Sequence, residues 1–200
     1  MGMDDASQEV QGVQAGSIPS AHGGLVVWLT GLSGAGKTTL SNDLSQILRG
    51  QGIALLQLDG DQLRGGINAD LGFGVADRSE NIRRTALIAD LAASQGLVVV
   101  CSLISPLEEQ RDAARAYVKG DFTEVYVSCD LQTCILRDPK QLYARALKGE
   151  VANFTGVSAR YEEPSKPDLI VQTDHLSREE AAGLLCGHVQ ERLSRLRQRS

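Results

Sequence analysis

The sequence has few aromatic residues and no long apolar run. Phe, Trp and Tyr make up 4% of its 200 residues. No apolar stretch approaches the roughly 18 residues that a membrane-spanning helix needs, so we expect no transmembrane segment and no membrane partner. The first 22 residues have neither a basic start nor an apolar centre and do not resemble a secretory signal. We expect residues 1–22 to form a disordered N-terminal tail.

Cysteine and histidine are also scarce, and their positions favour no metal site. Cys101, Cys129, Cys134 and Cys186 show no CxxC spacing and no nearby histidine, which predicts neither a zinc site nor a disulfide framework. We expect these cysteines to be buried thiols of a protein in the reducing cytoplasm. The three histidines lie away from every motif described below and receive no catalytic role.

Basic residues are outnumbered by acidic ones. Twenty Lys and Arg against 25 Asp and Glu give a formal charge of −5. This balance argues against nucleic acid as a partner, so an anionic ligand must be bound by a local cluster of basic side chains. A chain of this length favours one domain, which we place at residues 23–200.

A glycine-rich segment is the most informative motif. Its sequence is Gly31-Leu32-Ser33-Gly34-Ala35-Gly36-Lys37-Thr38, and it follows an apolar run and precedes a helical pattern. The backbone N–H groups of such a loop can surround phosphate oxygens, while Lys37 reaches the β- and γ-phosphates and the Thr38 hydroxyl binds Mg²⁺. The following helix directs its positive end at the anion. A glycine-rich turn without a ligand is the alternative, which the flanking strand and helix disfavour.

Apolar segments alternate with helical patterns along the rest of the chain. Strands are expected at 25–29, 53–58, 97–101, 122–127 and 169–171, and helices at 37–49, 79–94, 108–118 and after the capping box 177–180. This alternation predicts a three-layer α/β/α fold with a parallel five-stranded sheet. Between residues 130 and 167 the periodicity is lost and basic residues accumulate, so we expect a mobile lid at about 136–165.

Two carboxylates follow the second predicted strand. Asp59 and Asp61, with Arg64 nearby, would lie at the carboxyl end of that strand, where open α/β sheets bind ligands. A carboxylate there can deprotonate an acceptor hydroxyl or hold waters on Mg²⁺. The alternative for Asp59 is that it only caps the next helix.

A basic cluster surrounds an aromatic residue further along. Arg78, Arg83, Arg84 and Asn81 follow Phe73, and such arginines can bind an anionic group while the ring stacks on a base. The alternative for Arg83 and Arg84 is a solvated helix face. In the lid, a lysine can offset the negative charge of a triphosphate.

Seven motifs in one order resemble the adenylyl-sulfate (APS) kinase family, from about Leu25 to Thr173. They are GLSGAGKTT at 31–39, LDGD at 58–61, DLGF at 70–73, DRSENIRR at 77–84, ISP at 104–106, RDPK at 137–140 and NFTG at 153–156. The resemblance implies a P-loop NTPase fold and transfer of the ATP γ-phosphate to the 3′-hydroxyl of APS, which gives PAPS and ADP with Mg²⁺ in sulfate assimilation. It also implies a homodimer and functional coupling to an ATP sulfurylase.

The resemblance also assigns roles to individual residues. Asp61 matches the general base of the family and acts with Lys37 and Ser105, the latter a substrate-site residue first and a phosphoryl acceptor second. Phe73 and Phe154 match the two rings on either side of the APS adenine. The implied ATP site is Gly31, Ser33, Gly34, Ala35, Gly36, Lys37, Thr38, Thr39 and Arg137, with Thr38 as metal ligand. The implied substrate site is Asp59, Asp61, Arg64, Phe73, Arg78, Asn81, Ile104, Ser105, Lys140, Leu142 and Phe154.

The chain departs from the family pattern at several positions. They include Gln62, Gly65, Gly74, Gln141 and Leu147. A divergent kinase that phosphorylates another small nucleotide is therefore an alternative. A nucleotide-binding module without catalysis is a further hypothesis, which the presence of Lys37 and both carboxylates disfavours.

Overall fold

The computed structural model describes residues 24–199, so the tail expected at 1–22 lies outside the described residues. The strands are β1 (Leu25–Thr30), β2 (Leu55–Asp59), β3 (Val98–Ser102), β4 (Asp121–Ser128) and β5 (Leu169–Gln172). The helices are α1 (Lys37–Gly50), α2 (Gly60–Arg64), α3 (Val75–Ser94), α4 (Glu108–Tyr117), α5 (Leu131–Arg137), α6 (Leu142–Leu147) and α7 (Arg178–Arg197). No helix in this part of the chain is long and apolar enough to span a membrane.

The sheet confirms the predicted architecture. All neighbouring strands are parallel, in the order β2-β3-β1-β4-β5. Every side chain of β1 is buried, because this central strand is covered on both faces. Leu25, Val27 and Leu29 pack into one core cluster, whereas Val26 and Trp28 pack into another. This alternation follows from the two-residue period of a strand and divides the molecule into three layers.

Helices of different composition cover the two faces. Leu44 of α1 and Leu185 of α7 belong to the first cluster, whereas Ala86 of α3 and Ala114 of α4 belong to the second. The small alanine side chains allow α3 and α4 to approach the sheet around the large ring of Trp28. The capping box predicted at the start of α7 is present.

The structure differs from the sequence prediction at several element boundaries and in one short helix after β2. Helix α3 begins at Val75, four residues before the expected start, after the extended residue Gly74. The short helix α2 was not predicted. It begins after Asp59, whose side chain accepts hydrogen bonds from the backbone N–H groups of Asp61 and Gln62. Five residues are too few for a helical period to be visible in the sequence.

The segment expected to form the lid contains the end of α5, all of α6 and several turns. Its composition suggested few core residues, but Tyr143, Ala146 and Phe154 are buried in the first core cluster. Their burial anchors part of the segment to the domain. The mobility of the rest stays a prediction.

Candidate active site

A cavity of about 820 Å³ lies at the carboxyl ends of the parallel strands. It contains every predicted site residue except Gly31 and Ala35. Its lining includes the residues predicted for the ATP site at Ser33, Gly34, Gly36, Lys37, Thr38, Thr39 and Arg137. It also includes the residues predicted for the substrate site at Asp59, Asp61, Arg64, Phe73, Arg78, Asn81, Ile104, Ser105, Lys140, Leu142 and Phe154. The tertiary structure therefore brings residues from distant motifs into one cavity.

The phosphate-binding loop requires glycine for steric and conformational reasons. Gly34 has φ of 77°, and a Cβ atom there would lie 2.9 Å from the carbonyl oxygen of Cys134. Lys37 Nζ donates to the carbonyl oxygens of Gly31 and Leu32 at 2.8 and 2.7 Å. Burial lowers the pKa of Lys37 from 10.5 to about 8, although nearby acidic groups oppose the shift. Lys37 is therefore a poorly solvated cation that an anionic ligand would stabilise.

Asp59 connects the loop to the end of β2. Its Oδ2 atom accepts hydrogen bonds from the hydroxyls of Thr38 and Ser102, each at 2.9 Å. Its Oδ1 atom accepts the capping bonds of α2, so Asp59 is both a helix cap and a wall of the cavity. Burial acts to raise the pKa of Asp59, but these hydrogen bonds outweigh it and leave the pKa below 3.8. Asp59 is therefore an anion beside the Thr38 hydroxyl.

Asp61 forms an ion pair with Lys140. Both side chains are more than half exposed, and the pair connects the start of α2 to the segment before α6. Lys140 thus contacts the carboxylate that the sequence nominates as general base. Because Lys140 contacts only Oδ2 and the Asp61 side chain is 66% exposed, the other carboxylate oxygen is open to a substrate hydroxyl.

Aromatic and cationic groups form the opposite wall. Phe73 is 56% exposed, with the Arg64 guanidinium 4.5 Å and the Arg78 guanidinium 5.9 Å from its ring centroid. Phe154 is buried instead, and its ring lies edge-on to Tyr143 at 4.9 Å. Only Phe73 therefore offers a largely accessible ring face, and two guanidinium groups lie beside it.

Asn81 lines the cavity next to a second buried amide. Its Oδ1 atom accepts a hydrogen bond of 2.8 Å from Nδ2 of Asn68, which is fully buried. Because its oxygen is engaged, Asn81 presents its NH₂ group to the cavity. A hydrogen-bond donor there suits an anionic or hydroxyl-bearing ligand.

Ser105 is held in an unusual conformation. Its φ is 44°, and the residue is 2% exposed although it lines the cavity. Its Oγ atom accepts a hydrogen bond of 3.0 Å from Trp28 Nε1. Since an indole N–H can only donate, the serine hydroxyl keeps its proton free for another acceptor.

Sequence reasoning missed two hydroxyl residues that complete the site. Ser102 ends β3 and bonds to Asp59, and Thr173 follows β5. Thr173 Oγ1 donates to the Ala35 carbonyl at 2.8 Å, and Arg137 Nη2 donates to the Thr173 carbonyl at 2.6 Å. Both residues lie at the carboxyl ends of strands, and that position could have identified them from the sequence.

Two arginines of the basic cluster do not line the cavity. Arg83 pairs with Glu80, and Arg84 pairs with both Glu80 and Asp70. The helix-face alternative is therefore correct for both. The expectation that the four cysteines are buried is also confirmed.

The donor atoms of the site suit a magnesium ion. Hydroxyl and carboxylate oxygens of Thr38, Asp59 and Ser102 converge at one point. Among residues 24–199, no group of three or more His, Cys, Asp or Glu side chains could hold a metal ion. This donor set fits Mg²⁺, which commonly binds one or two protein ligands together with substrate phosphates and water.

Comparison with known proteins agrees with this geometry. The model of the family described as adenylylsulphate kinase matches residues 23–172. An adenylyl-sulfate kinase of Paraburkholderia xenovorans is 50% identical over 170 residues, which cover 85% of this chain and 95% of the relative. A probable adenylyl-sulfate kinase of Halalkalibacterium halodurans is 46% identical over 90% of this chain and 88% of its own. The structure of the Mycobacterium tuberculosis APS kinase CysC in complex with AMPPNP and APS is similar with a TM-score of 0.82 and 43% identity, covering 85% of this chain and 99% of that one.

Proposed function

The chain belongs to the adenylylsulphate kinase family, and from this we propose that it transfers the γ-phosphate of ATP to the 3′-hydroxyl of APS, giving PAPS and ADP in sulfate assimilation. The observation that carries the proposal is that one cavity contains both a phosphate-binding loop and a carboxylate with a cationic and aromatic wall. The loop suits a nucleotide donor. The wall suits an anionic nucleotide acceptor.

Each half of the cavity has a distinct task. The loop backbone and Lys37 would bind the ATP phosphates, while Arg137 would lie against the adenine. Arg64, Arg78, Asn81 and the accessible ring of Phe73 would hold APS, and the largely buried Phe154 would contribute only the small part of its side chain that lines the cavity. Positioning of this kind supplies most of the catalysis in phosphoryl transfer, because the protein needs to do little covalent chemistry.

Asp61 would act as the general base. It would accept the proton of the APS 3′-hydroxyl as that oxygen bonds to the γ-phosphorus and the bond to the β-phosphate oxygen breaks. ADP leaves with that electron pair. Lys140, which contacts Asp61, would offset negative charge on the transferring group.

We also propose Mg²⁺ as the cofactor, with Thr38 as its protein ligand. When bound near Thr38, this ion would neutralise negative charge that develops on the ATP phosphates. The Thr38 hydroxyl would supply one oxygen. Asp59 would orient that hydroxyl and hold water on the ion.

Most of the residues that depart from the family pattern do not line the cavity. Gly65, Gly74, Gln141 and Leu147 do not line the cavity, and only Gln62 does. Gln141 takes φ of 54°, a left-handed conformation that glycine adopts more easily. These positions therefore affect the local backbone more than acceptor contacts. This supports APS over another small nucleotide as acceptor.

Release of ADP tests the proposal. Purified protein with ATP and Mg²⁺ should release ADP only when APS is added, and the product should be PAPS. ADP release that prefers another nucleotide acceptor would identify the divergent kinase. Asp61→Ala should retain ATP binding and lose ~10²–10⁴-fold in turnover, which a non-catalytic module would not show.

The chain's remaining partners and location are also proposals. We propose a homodimer, because α3 exposes Val75, Leu87 and Leu91, which a second copy could cover. We propose a cytoplasmic location, which the four free thiols support. Functional coupling to an ATP sulfurylase would supply APS. Light scattering of the purified protein tests the dimer directly.

A further inference from the structure

Ser105 depends on residues that lie behind the cavity wall. Its φ of 44° is uncommon for a residue with a side chain. Such a conformation persists only where surrounding groups hold it in place. Three side chains that do not line the cavity bond to it. Arg111 and Thr30 donate to its carbonyl oxygen at 2.9 and 3.4 Å, and Trp28 donates to its hydroxyl oxygen.

Arg111 supports the backbone of Ser105. Its side chain is 2% exposed, and Nη1 donates a hydrogen bond of 2.9 Å to the Ser105 carbonyl oxygen. Its Nε lies 3.0 Å from Glu124 Oε1 on β4, which balances the buried charge. The rigid guanidinium therefore connects the central sheet to the loop before α4.

Trp28 supports the side chain of the same residue. Its Nε1 group donates to Ser105 Oγ, and its ring stacks on Phe122 with centroids 6.0 Å apart. Because Oγ accepts this bond, the Ser105 hydroxyl keeps its proton to donate to another acceptor. Together, the two contacts fix both the carbonyl and the hydroxyl of one residue.

The position of Ser105 places it with the acceptor nucleotide. It precedes α4, which packs beside α3 on one face of the sheet, whereas the phosphate-binding loop leads into α1 on the other face. Gln110 of α4 also bonds to Ser79 of α3 at 3.0 Å. Helix α3 carries Arg78 and Asn81, which line the substrate side of the cavity.

We propose that Arg111 is a positioning residue for the acceptor nucleotide. By holding the Ser105 carbonyl, it keeps the Ser105 hydroxyl in place as a hydrogen-bond donor toward bound APS. This inference rests on the proposed function, because it names a determinant of acceptor binding at the same site. A purely structural role, in which Arg111 only connects α4 to β4, would affect both nucleotides alike.

Arg111→Lys tests the proposal, with Arg115→Lys as the matched control. Lysine keeps a positive charge beside Glu124 but cannot reproduce the planar fork that reaches Ser105. Arg115 lies one turn further along α4, approaches the same glutamate at 3.6 Å and has no bond to the Ser105 loop. We expect R111K to raise KM for APS at least ~10-fold while KM for ATP changes less than about twofold. R115K should change neither.

The measured KM values distinguish a positioning role of Arg111 from a purely structural one. Equal increases in both KM values, or no increase beyond that of R115K, would overturn the proposal. If R111K does not fold, Trp28→Phe decides the question by the same criterion, because it removes the donor to Ser105 Oγ and keeps a ring beside Phe122. Wild-type protein without APS-dependent ADP release would refute the proposed function, and this inference with it. An active wild type with an unselective R111K refutes the inference alone.

Discussion

Thr38 and Asp59 are joined by a hydrogen bond of 2.9 Å between Oγ1 and Oδ2, although 21 positions separate them in the chain. The bond connects the first turn of α1 to the end of β2. It places an anion directly behind the hydroxyl that would bind magnesium. The low pKa of Asp59 follows from this bond together with the bonds from the Ser102 hydroxyl and from the backbone N–H groups of Asp61 and Gln62.

The first prediction concerns this magnesium site. Asp59→Asn should raise the Mg²⁺ concentration for half-maximal ADP release by ~10–100-fold, because the neutral amide orients Thr38 less strongly and holds water on the ion less well. Titration of activity with MgCl₂ measures the effect. Asp112→Asn, which removes an exposed carboxylate on α4, is the control. An unchanged magnesium midpoint in D59N would show that Asp59 only caps α2.

The second prediction concerns the protonation of Lys37. Burial disfavours its charged form in the folded protein, and this unfavourable contribution disappears as the pH rises from about 8 to 10.5. ATP phosphates would raise the pKa again. Binding of ATP above pH 8 should therefore take up as much as one proton, and affinity should fall as the pH rises.

Calorimetry in buffers with different ionisation enthalpies measures this uptake. The matched variant is Lys37→Arg, because arginine stays charged throughout this range and should show no uptake. Equal proton uptake in wild type and K37R would assign the proton to another group.

The third prediction concerns the direction of the bond between Asn68 and Asn81. An ionised aspartate at position 68 can only accept, so Asn68→Asp, assayed above the pKa of the new carboxyl group, should reverse the Asn81 amide and turn its oxygen toward the cavity. We expect KM for APS to increase ~10-fold or more, since a donor to the substrate is replaced by an acceptor. Asn68→Leu removes the bond without reversing it and should have a smaller effect. A KM for APS that is the same in N68D and wild type would exclude this role.

The fourth prediction concerns the core between α7 and the sheet. Leu185 is fully buried, whereas the adjacent Leu184 is 44% exposed. Leu185→Ala should lower the free energy of unfolding by about 2–5 kcal/mol, because it removes buried methyl groups and leaves a cavity. Leu184→Ala should cost less than about 1 kcal/mol. Urea denaturation of both variants measures the difference, and similar losses would contradict the assigned packing of α7.

Local patterns predicted much of the architecture. The apolar runs at β1, β3 and β4 and the repeat of Leu40, Leu44 and Leu48 correspond to elements in the structure. Such elements can be predicted because a helix or strand that buries one face has apolar residues at a regular spacing in the sequence. The phosphate-binding loop could be predicted for a different reason, because its backbone conformation requires glycine at fixed positions.

Other features could not be predicted from the sequence, because they depend on contacts between distant segments. Arg78 and Arg84 are arginines of the same motif, and the sequence does not distinguish them. In the structure, Arg84 pairs with Asp70, whereas Arg78 lines the cavity. Phe154 lies in a segment of polar composition and is nevertheless buried against Tyr143. Composition cannot separate such cases, since each outcome depends on which partner lies within a few ångströms.

The sequence by itself determined the phosphate-binding loop and the parallel α/β order. Those properties reside in local spacing and backbone requirements. Only the tertiary structure decided that Asp59 bonds to Thr38, that Asn68 orients Asn81 and that Arg111 holds Ser105. Each of these bonds joins different elements of the fold. It forms only where the fold brings a donor and an acceptor to about 3 Å from each other, and local sequence does not encode that distance.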